Sequence, residues 1–425
     1  MPSHAGELRG SRRVRGFTFD TQDGTDLQAL GLLLVGNPPE SGLDWKAMLH
    51  LARLHSVSPL LFWKLEKEGQ GRGRDAGVSA DVWEELESDF YTAAAREMLM
   101  DRQLAEVLGV LAQAGTQTLV LKGAALGTFY ADPALRPYGD LDLLVPQNQL
   151  GRAEEALKEL GYRYTHPKAW WLSRHYHLPP MTNDKGWRVV EVHWRLEHDG
   201  VTGCLPADDL WARAVPWAVS GQQTLRLDAV DTVLHLCLHA VVQHRVRLGL
   251  RSLCDLAQVT KSWESSEWTS LAWRATEYDL VRPVYLMLAL SAQVLGLDGP
   301  ASVMSALRSQ CGAALPGDIV AKLLHLECNP TMGMPVAAVQ ASAKNTFPAR
   351  ARHLLHHLFL PRDGMAVVYG IPADSPRIWL TYLQRPVDLL RRYGGSTWGM
   401  LRGTPDARAA WHRETWLQRW LQEGK

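Results

Sequence analysis

The chain has 425 residues, of which 46% are hydrophobic and 21% are charged, and its 45 basic residues balance 45 acidic ones. This composition is typical of a globular protein, and the zero net charge disfavours a long nucleic acid as partner. The five cysteines are dispersed without C-x-x-C spacing, which argues against a disulfide framework and favours a reducing cytoplasm. The apolar runs fall short of the roughly 20 residues of a membrane span, so we expect a cytoplasmic protein without a transmembrane segment.

Residues 1–25 are predicted to form a flexible basic tail, and residues 26–115 a helical region. Apolar residues recur at helical spacing through LDWKAMLHLARLHSVSPLLFWKLEKEG and through the long stretch that begins with VSADVW. Gly115 stands where helix C-termini favour glycine, so the last helix of this region should end there.

The pattern changes to short strands between residues 116 and 205. TLVLKG and DLDLLV are predicted strands, the second closed by Pro146. NQLGRAEEALKELG predicts a helix, with Asn148 as its N-cap and Gly161 as its stop. HYHLPPM and WRVVEVHWRL flank TNDKG and predict a hairpin, whose first arm should be an edge strand because it carries two prolines.

Helical spacing returns after residue 205. We divide the rest of the chain into a helical domain over residues 206–328 and a C-terminal helical region over residues 329–425, with Pro/Gly-rich stretches as linkers. The expected fold is therefore α+β, with a small mixed β-sheet core over residues 116–205 flanked by helical N- and C-terminal regions.

Two carboxylates lie inside the apolar run DLDLLV. Residues two apart in a strand share a face, so Asp140 and Asp142 project together while Leu141 and Leu143 face the other way. Neighbouring carboxylates repel unless a cation compensates them, and Mg²⁺ prefers carboxylates together with substrate phosphates. A metal site is one interpretation, and an exposed strand face with two unpaired aspartates is the other.

The segment upstream and a later strand extend this pattern. Lys122 and Gly123 follow a predicted strand and precede a predicted helical turn, a setting that suits an anion, although a turn glycine has the same appearance. In VVEVHW, Glu191 shares a face with His193. Three acids on neighbouring strands can hold two metal ions for phosphoryl or nucleotidyl transfer. Glu191 would complete that site or take a proton from the attacking hydroxyl.

These segments together resemble a bacterial nucleotidyltransferase family of the DNA polymerase β superfold. LKGAALGTFYADPALRPYGDLDLLV, the helix that ends in LGY, and VVEVHW match its KGaaL, R-P-x-G-D-h-D-h-h-V and E-h-H-W motifs, where h is apolar. The resemblance is strongest over residues 117–200 and implies a polymerase-β-like core.

The resemblance also implies roles for individual residues. It assigns the catalytic and metal-binding triad to Asp140, Asp142 and Glu191, with Mg²⁺ or Mn²⁺ as the cofactor. His193 becomes a further candidate through its position beside Glu191. The resemblance assigns nucleotide binding to a second set of residues. That second set comprises Lys122, Gly123, Ala124 and Arg136.

The reaction that the resemblance implies is transfer of a nucleoside monophosphate from an NTP to a hydroxyl, with release of pyrophosphate. A small molecule or natural product, a peptide or protein side chain and an RNA end are the acceptor classes. Ala124 stands where active members of the superfold carry serine or glycine, so no side-chain hydroxyl is available there. The alternative function is therefore a catalytically silent binding protein with the same fold.

Three other features have structural interpretations. His235 and His239 have metal-ligand spacing on a predicted helix, but core or interface positions are the expected outcome. Asp255 is expected to anchor a helix, and the loop-anchoring ion pair is an equal alternative for Arg136. The C-terminal stripe of Trp and Leu is expected to pack on the protein's own core rather than on a membrane surface. The stripe comprises Trp416, Leu417, Trp420 and Leu421.

Overall fold

The computed structural model describes residues 22–37, 42–68, 77–172, 175–185, 189–196, 203–246, 249–312, 347–402 and 405–422, together with residues 315 and 323. Within them the protein is α+β, with one seven-stranded mixed sheet and helices on both sides of it in sequence. No helix in this part of the chain combines the length and apolarity needed to cross a bilayer. Most of the predicted N-terminal tail lies outside the described residues.

The region before the sheet is helical, as predicted. Its last helix is continuous for 34 residues and is followed by Gly115 with φ of 66°, which confirms the predicted stop. The elements of this region are α1 (Gln22–Leu34), α2 (Trp45–Leu54), α3 (Ser58–Trp63), a π-helical turn (Lys64–Glu68) and α4 (Ala80–Gln113).

The sheet region alternates short strands with short helices. Its elements are β1 (Leu119–Val120), α5 (Lys122–Gly127), β2 (Asp140–Leu144), α6 (Leu150–Glu159), β3 (Arg163–Tyr164), α7 (Lys168–Leu172), β4 (Met181–Thr182), β5 (Val189–His193), α8 (Ala207–Arg213), β6 (Val215–Val219) and β7 (Gln222–Arg226). The strand order is β3-β4-β5-β2-β1-β7-β6, so β2 and β5 are neighbours in the interior of the sheet.

Two local predictions in this region are wrong. The N-cap of α6 is Gln149, because Pro146 opens a 3₁₀ turn (Gln147–Gln149) that takes Asn148 into its interior. The arm HYHLPPM does not form the edge of the sheet, since β3 pairs outside β4. The two prolines precede β4. The Pro180 carbonyl still accepts a hydrogen bond from the Thr165 amide, and the missing proline N–H groups interrupt no hydrogen bonding between strands.

The stretch from residue 215 to residue 226 was expected to be helical and instead forms a hairpin. Val219 pairs with Gln222, and the two turn residues, Ser220 and Gly221, have φ of 46° and 82°. Positive φ at both positions is the type I′ geometry that matches strand twist. β7 then adds to β1 in parallel, so the sheet extends beyond the predicted boundary of the core at residue 205.

The rest of the described chain is helical, as predicted. Its elements are α9 (Ala229–Cys237), a π-helical turn (Leu238–Gln243), α10 (Gly249–Thr260), α11 (Ser265–Glu277), α12 (Val281–Leu295), α13 (Ala301–Cys311), α14 (Phe347–Leu358), α15 (Arg362–Tyr369), α16 (Ile378–Arg402) and α17 (Pro405–Gln422). The C-terminal stripe packs on the core as expected, with Leu417 and Trp420 only 0% and 3% exposed.

Two hydrophobic clusters hold these layers together. One cluster lies between the sheet and the helices α4 and α6, and it includes Leu141, Leu143, Val190 and Val192. The other joins the N-terminal helices, α9 to α13 and the C-terminal helix α17. Because Leu141, Leu143, Val190 and Val192 face α4 and α6, the acidic residues of both strands face the opposite side, where Lys122 reaches Asp142.

Candidate functional site

The parallel pairing of β2 with β5 places the three predicted acids together. Asp142 is directly opposite Glu191, and Leu141 and Leu143 are opposite Val190 and Val192. The strands alternate as predicted, so Asp140, Asp142 and Glu191 occupy one face of adjacent strands.

Asp142 is the most buried of these acids, with 3% of its surface exposed. Its Oδ2 lies 3.1 Å from the Lys122 Nζ, and its Oδ1 lies 3.1 Å from the His193 Nε2. Burial opposes ionisation, but the Lys122 ammonium and the His193 ring hold the pKa of Asp142 far below its ordinary value. Asp142 is therefore a fully ionised carboxylate at neutral pH.

Asp140 and Glu191 have the opposite electrostatic setting. Burial raises the pKa of both groups, and the negative charge of Asp142 raises it further. Among the described residues, no hydrogen bond or ion pair reaches the Asp140 carboxylate. The carboxylates thus place negative charge on one face of the sheet, and the protein's own cations compensate this charge only in part.

The backbone at Lys122 and Gly123 makes the turn that brings Lys122 to Asp142. Both residues have positive φ, 27° and 28°, and the Leu121 amide donates to the Asp142 carbonyl. A Cβ at Gly123 would lie 3.0 Å from the Tyr138 ring, so both the conformation and the space require glycine. The next residue, Ala124, is buried.

His239 also contacts Lys122, and the sequence did not predict this role. Its Nε2 lies 3.2 Å from the Lys122 Nζ, although 117 residues separate the two in sequence. His235 is buried, as expected of a core histidine, and its ring centroid is 6.2 Å from that of His239. The i, i+4 histidine pair was the available signal, but only the fold reveals Lys122 as a partner.

Arg136 forms an ion pair with Asp255, as expected under the alternative to nucleotide binding. Its Nε and Nη2 donate to the two oxygens of Asp255 at 3.1 and 2.9 Å, and the Tyr130 hydroxyl donates to the same carboxylate at 2.8 Å. Asp255 is 1% exposed, so it anchors α10 to the loop before β2. A role for Arg136 in nucleotide binding stays a prediction.

A second arginine beside Arg136 has a different environment. Arg251 is partly buried and donates a 3.4 Å hydrogen bond to the Pro137 carbonyl, and it forms no ion pair with any described residue. Burial and the charge of Arg136 lower the pKa of Arg251. It lines a cleft of about 410 Å³ together with Arg53, Arg96 and Tyr138. Since Tyr138 packs on Gly123, this cleft, which Asp89 also lines, adjoins the acidic face.

The closest set of potential metal ligands is not the three carboxylates. Within the described chain, one group of three such residues has ligand atoms all within 4.8 Å of one another, and it consists of His177, Glu191 and His193. The predicted triad of Asp140, Asp142 and Glu191 does not form such a group among the described residues, and both oxygens of Asp142 already face Lys122 and His193.

Comparison with known proteins gives a family for the chain. No curated protein and no solved structure gives a significant match to the chain. A family model described as "uncharacterised nucleotidyltransferase" matches residues 41–296, which is more than half of the 425 residues and includes all the site residues described above. Because this match spans the sheet and the helices that position the acids, the chain belongs to that nucleotidyltransferase family.

Proposed function

We propose that this protein transfers a nucleoside monophosphate from an NTP to a hydroxyl acceptor, with Mg²⁺ or Mn²⁺ as cofactor and pyrophosphate as the second product. The observation that carries this proposal is the common face of Asp140, Asp142 and Glu191 on two parallel strands, with the Lys122 turn against it. The family assignment supports the same reaction class.

The donor set fits a hard divalent cation. Carboxylate oxygens are the ligands that Mg²⁺ and Mn²⁺ prefer, and Asp140 is a half-buried carboxylate that makes no direct ion pair with any described residue. Asp140, Asp142 and Glu191 would hold the ions. When bound, such ions neutralise charge on the transferred phosphoryl group and on the leaving pyrophosphate.

The protein's own residues then have three tasks. Lys122 supplies a positive charge at the acidic face and, beside Gly123, would contact the triphosphate. Glu191 is the candidate base for the acceptor hydroxyl, since its raised pKa makes its carboxylate a better proton acceptor. Arg251 is available for a phosphate because it forms no ion pair in the described chain, whereas Arg136 is held by Asp255.

The second candidate function is a catalytically silent binding protein. Ala124 favours it, because the turn carries no side-chain hydroxyl for the triphosphate. The buried Lys122–Asp142 ion pair is also compatible with a purely structural site. The acceptor class is open in both cases, and a peptide, a natural product and an RNA end all carry suitable hydroxyl groups.

The test compares the wild type with Asp140→Asn and with a control, Glu155→Gln, at an exposed acid on α6. Wild type and control should melt higher with one NTP only when Mg²⁺ or Mn²⁺ is present, and should release pyrophosphate with a suitable acceptor. Asp140→Asn should lower turnover by about 100-fold or more, because a lost ligand misplaces the reacting groups. Its metal-free melting temperature should hold or rise slightly, because repulsion on Asp142 is relieved.

Thermal shift across the four NTPs is measured first, and mass spectrometry of candidate acceptors follows. A wild type whose melting temperature responds to no combination of NTP and metal would favour the silent binding protein. Equal turnover in Asp140→Asn and the control would remove Asp140 from the reaction.

A further inference from the structure

His177, Glu191 and His193 form a cluster of two imidazoles and one carboxylate, which we term the histidine cluster. The His193 Nε2 lies 3.7 Å from the Glu191 Oε2, and one potential ligand atom from each of the three residues lies within 4.8 Å of the other two. In a tetrahedral zinc site with bonds of about 2.0–2.1 Å, ligand atoms are about 3.4 Å apart. Small side-chain movements would therefore bring these groups to metal-binding distances.

The backbone fixes both histidines. His177 and His193 are antiparallel bridge partners, and the Leu178 amide donates to the Val192 carbonyl at 2.8 Å. The two rings lie 4.7 Å apart between centroids. The cluster thus joins the segment before β4 to the end of β5, which are held in register by the sheet.

The tautomer of His177 also suits a ligand. Its Nδ1 lies 2.9 Å from the Leu178 carbonyl oxygen, and because a carbonyl only accepts, Nδ1 carries the proton. The Nε2 of the neutral ring then has a free lone pair. A ring whose other nitrogen donates to a backbone carbonyl is the usual arrangement of metal-binding histidines.

The cluster is accessible to an ion. The side chains of His177, Glu191 and His193 are 13%, 25% and 15% exposed, so an incoming metal would find ligands on one side and solvent on the other. Two imidazoles with one carboxylate match open zinc and non-haem iron sites, whereas Mg²⁺ prefers oxygen ligands throughout.

We propose that His177, Glu191 and His193 bind one divalent transition-metal ion, of the zinc class, beside the carboxylates of Asp140 and Asp142. The ion replaces the proton of the His193 Nε2, which faces Asp142 in the metal-free protein, and that proton passes to Nδ1 or to solvent. This site shares Glu191 with the proposed nucleotidyl-transfer site, but binding of the zinc-class ion does not depend on nucleotidyl transfer.

The test uses the full-length protein after chelation of bound metal. Zn²⁺ and Co²⁺ are titrated by calorimetry, with Mg²⁺ as the comparison, for wild type, His177→Gln and the control His50→Gln. His50 is exposed on α2 and belongs to no group of potential metal ligands among the described residues. Wild type and control should bind one Zn²⁺ at least about 100-fold more tightly than Mg²⁺, and His177→Gln should weaken Zn²⁺ binding at least about tenfold.

Two readouts other than activity decide the result. Bound Co²⁺ should give visible d–d absorption in wild type and control and lose it in His177→Gln. X-ray absorption of the wild-type zinc complex should show imidazole nitrogens and oxygen at about 2.0–2.2 Å, and this measurement holds even if the variant fails to fold. Equal Zn²⁺ affinity in all three proteins, or a zinc environment without imidazole, would overturn the site. Zinc binding without nucleotidyl transfer would leave it standing.

Discussion

Asp142 carries a negative charge at a site that is almost closed to water. Its sequence context predicted repulsion from Asp140 that a metal would relieve. The Lys122 ammonium and the His193 ring already provide much of that compensation, which is why the pKa of Asp142 is lowered while that of Asp140 is raised. The two aspartates of one motif therefore differ: Asp142 is paired within the protein, and Asp140 is the more available to an added cation.

This difference predicts strong coupling between Lys122 and Asp142. Lys122→Met leaves the buried Asp142 carboxylate with only the His193 ring as partner, and Asp142→Asn leaves a nearly buried ammonium, so each should cost about 3 kcal/mol of unfolding free energy without metal. The double variant should cost clearly less than the sum. Urea denaturation gives the unfolding free energies of the wild type, the two single variants and the double variant. Additive losses would show that the contact is energetically unimportant.

The metal response of Lys122→Met adds a second readout. Mg²⁺ should raise its melting temperature more than that of the wild type, because the cation replaces the missing charge beside Asp142. A smaller response than that of the wild type would argue against a metal at this carboxylate.

Arg136 and Arg251 should respond differently to removal of their charge. Arg251→Ala should weaken NTP binding about tenfold or more with little change in melting temperature, since Arg251 has no ion pair to lose in the described chain. Arg136→Ala should chiefly lower the melting temperature, because Asp255 would remain buried without its partner. Nucleotide titration and thermal unfolding of both variants separate the two roles. If Arg136→Ala weakened NTP binding while Arg251→Ala chiefly lowered the melting temperature, Arg136 would be the phosphate ligand instead.

Among the elements, the hairpin of β6 and β7 lies where we predicted a helical domain. Val215, Trp217 and Val219 alternate with period two, and the Ser220–Gly221 pair after them is a two-residue turn of the type that joins strands, so the local pattern favoured strands. Pairing of β7 with β1 supplies the long-range hydrogen bonds that decide in favour of strands.

The turn itself makes a prediction about stability. Gly221→Ala should cost about 1 kcal/mol, because φ of 82° is unfavourable for alanine although no described atom lies within 4 Å of the added Cβ. Ser220→Asn, which tolerates positive φ better, should be neutral or slightly stabilising. Denaturant midpoints of both variants check this. An unchanged midpoint for Gly221→Ala would mean that the turn relaxes without strain.

At the scale of the whole molecule, His55 connects regions far apart in sequence. It follows α2, is 5% exposed, and its Nδ1 accepts a 3.4 Å hydrogen bond from the Leu250 amide at the start of α10. Gly249 has φ of 60°, and a Cβ there would lie 2.2 Å from the His55 Nδ1. This close approach docks the N-terminal helices against the helical domain.

This contact predicts acid sensitivity. Burial lowers the pKa of His55 from 6.5 to about 4, so the unfolded chain takes up the proton first as pH falls. The stabilisation is complete above pH 6.5 and is lost between pH 6.5 and 4, with a slope approaching about 1.4 kcal/mol per pH unit. Urea denaturation across this range should show a shallower slope for His55→Leu than for the wild type. Identical slopes would exclude His55 as a contributor.

The sequence determined which side chains share a face and where the long helices end. Alternation in DLDLLV and VVEVHW is a property of each strand alone, so Asp140 and Asp142 could be placed together from sequence, as could Glu191 and His193. The stop at Gly115 and the burial of the C-terminal stripe follow in the same way from local periodicity and turn chemistry.

The tertiary structure decided which partners those side chains meet. Lys122 could be recognised as a cation in a turn, but its contact with His239 spans 117 residues, and the approach of His177 to Glu191 depends on strand pairing. The same holds for Arg136, whose partner Asp255 lies on a distant helix. Local patterns constrain the direction of a side chain, whereas its partner, and so its charge state, depends on which remote segments pack against it.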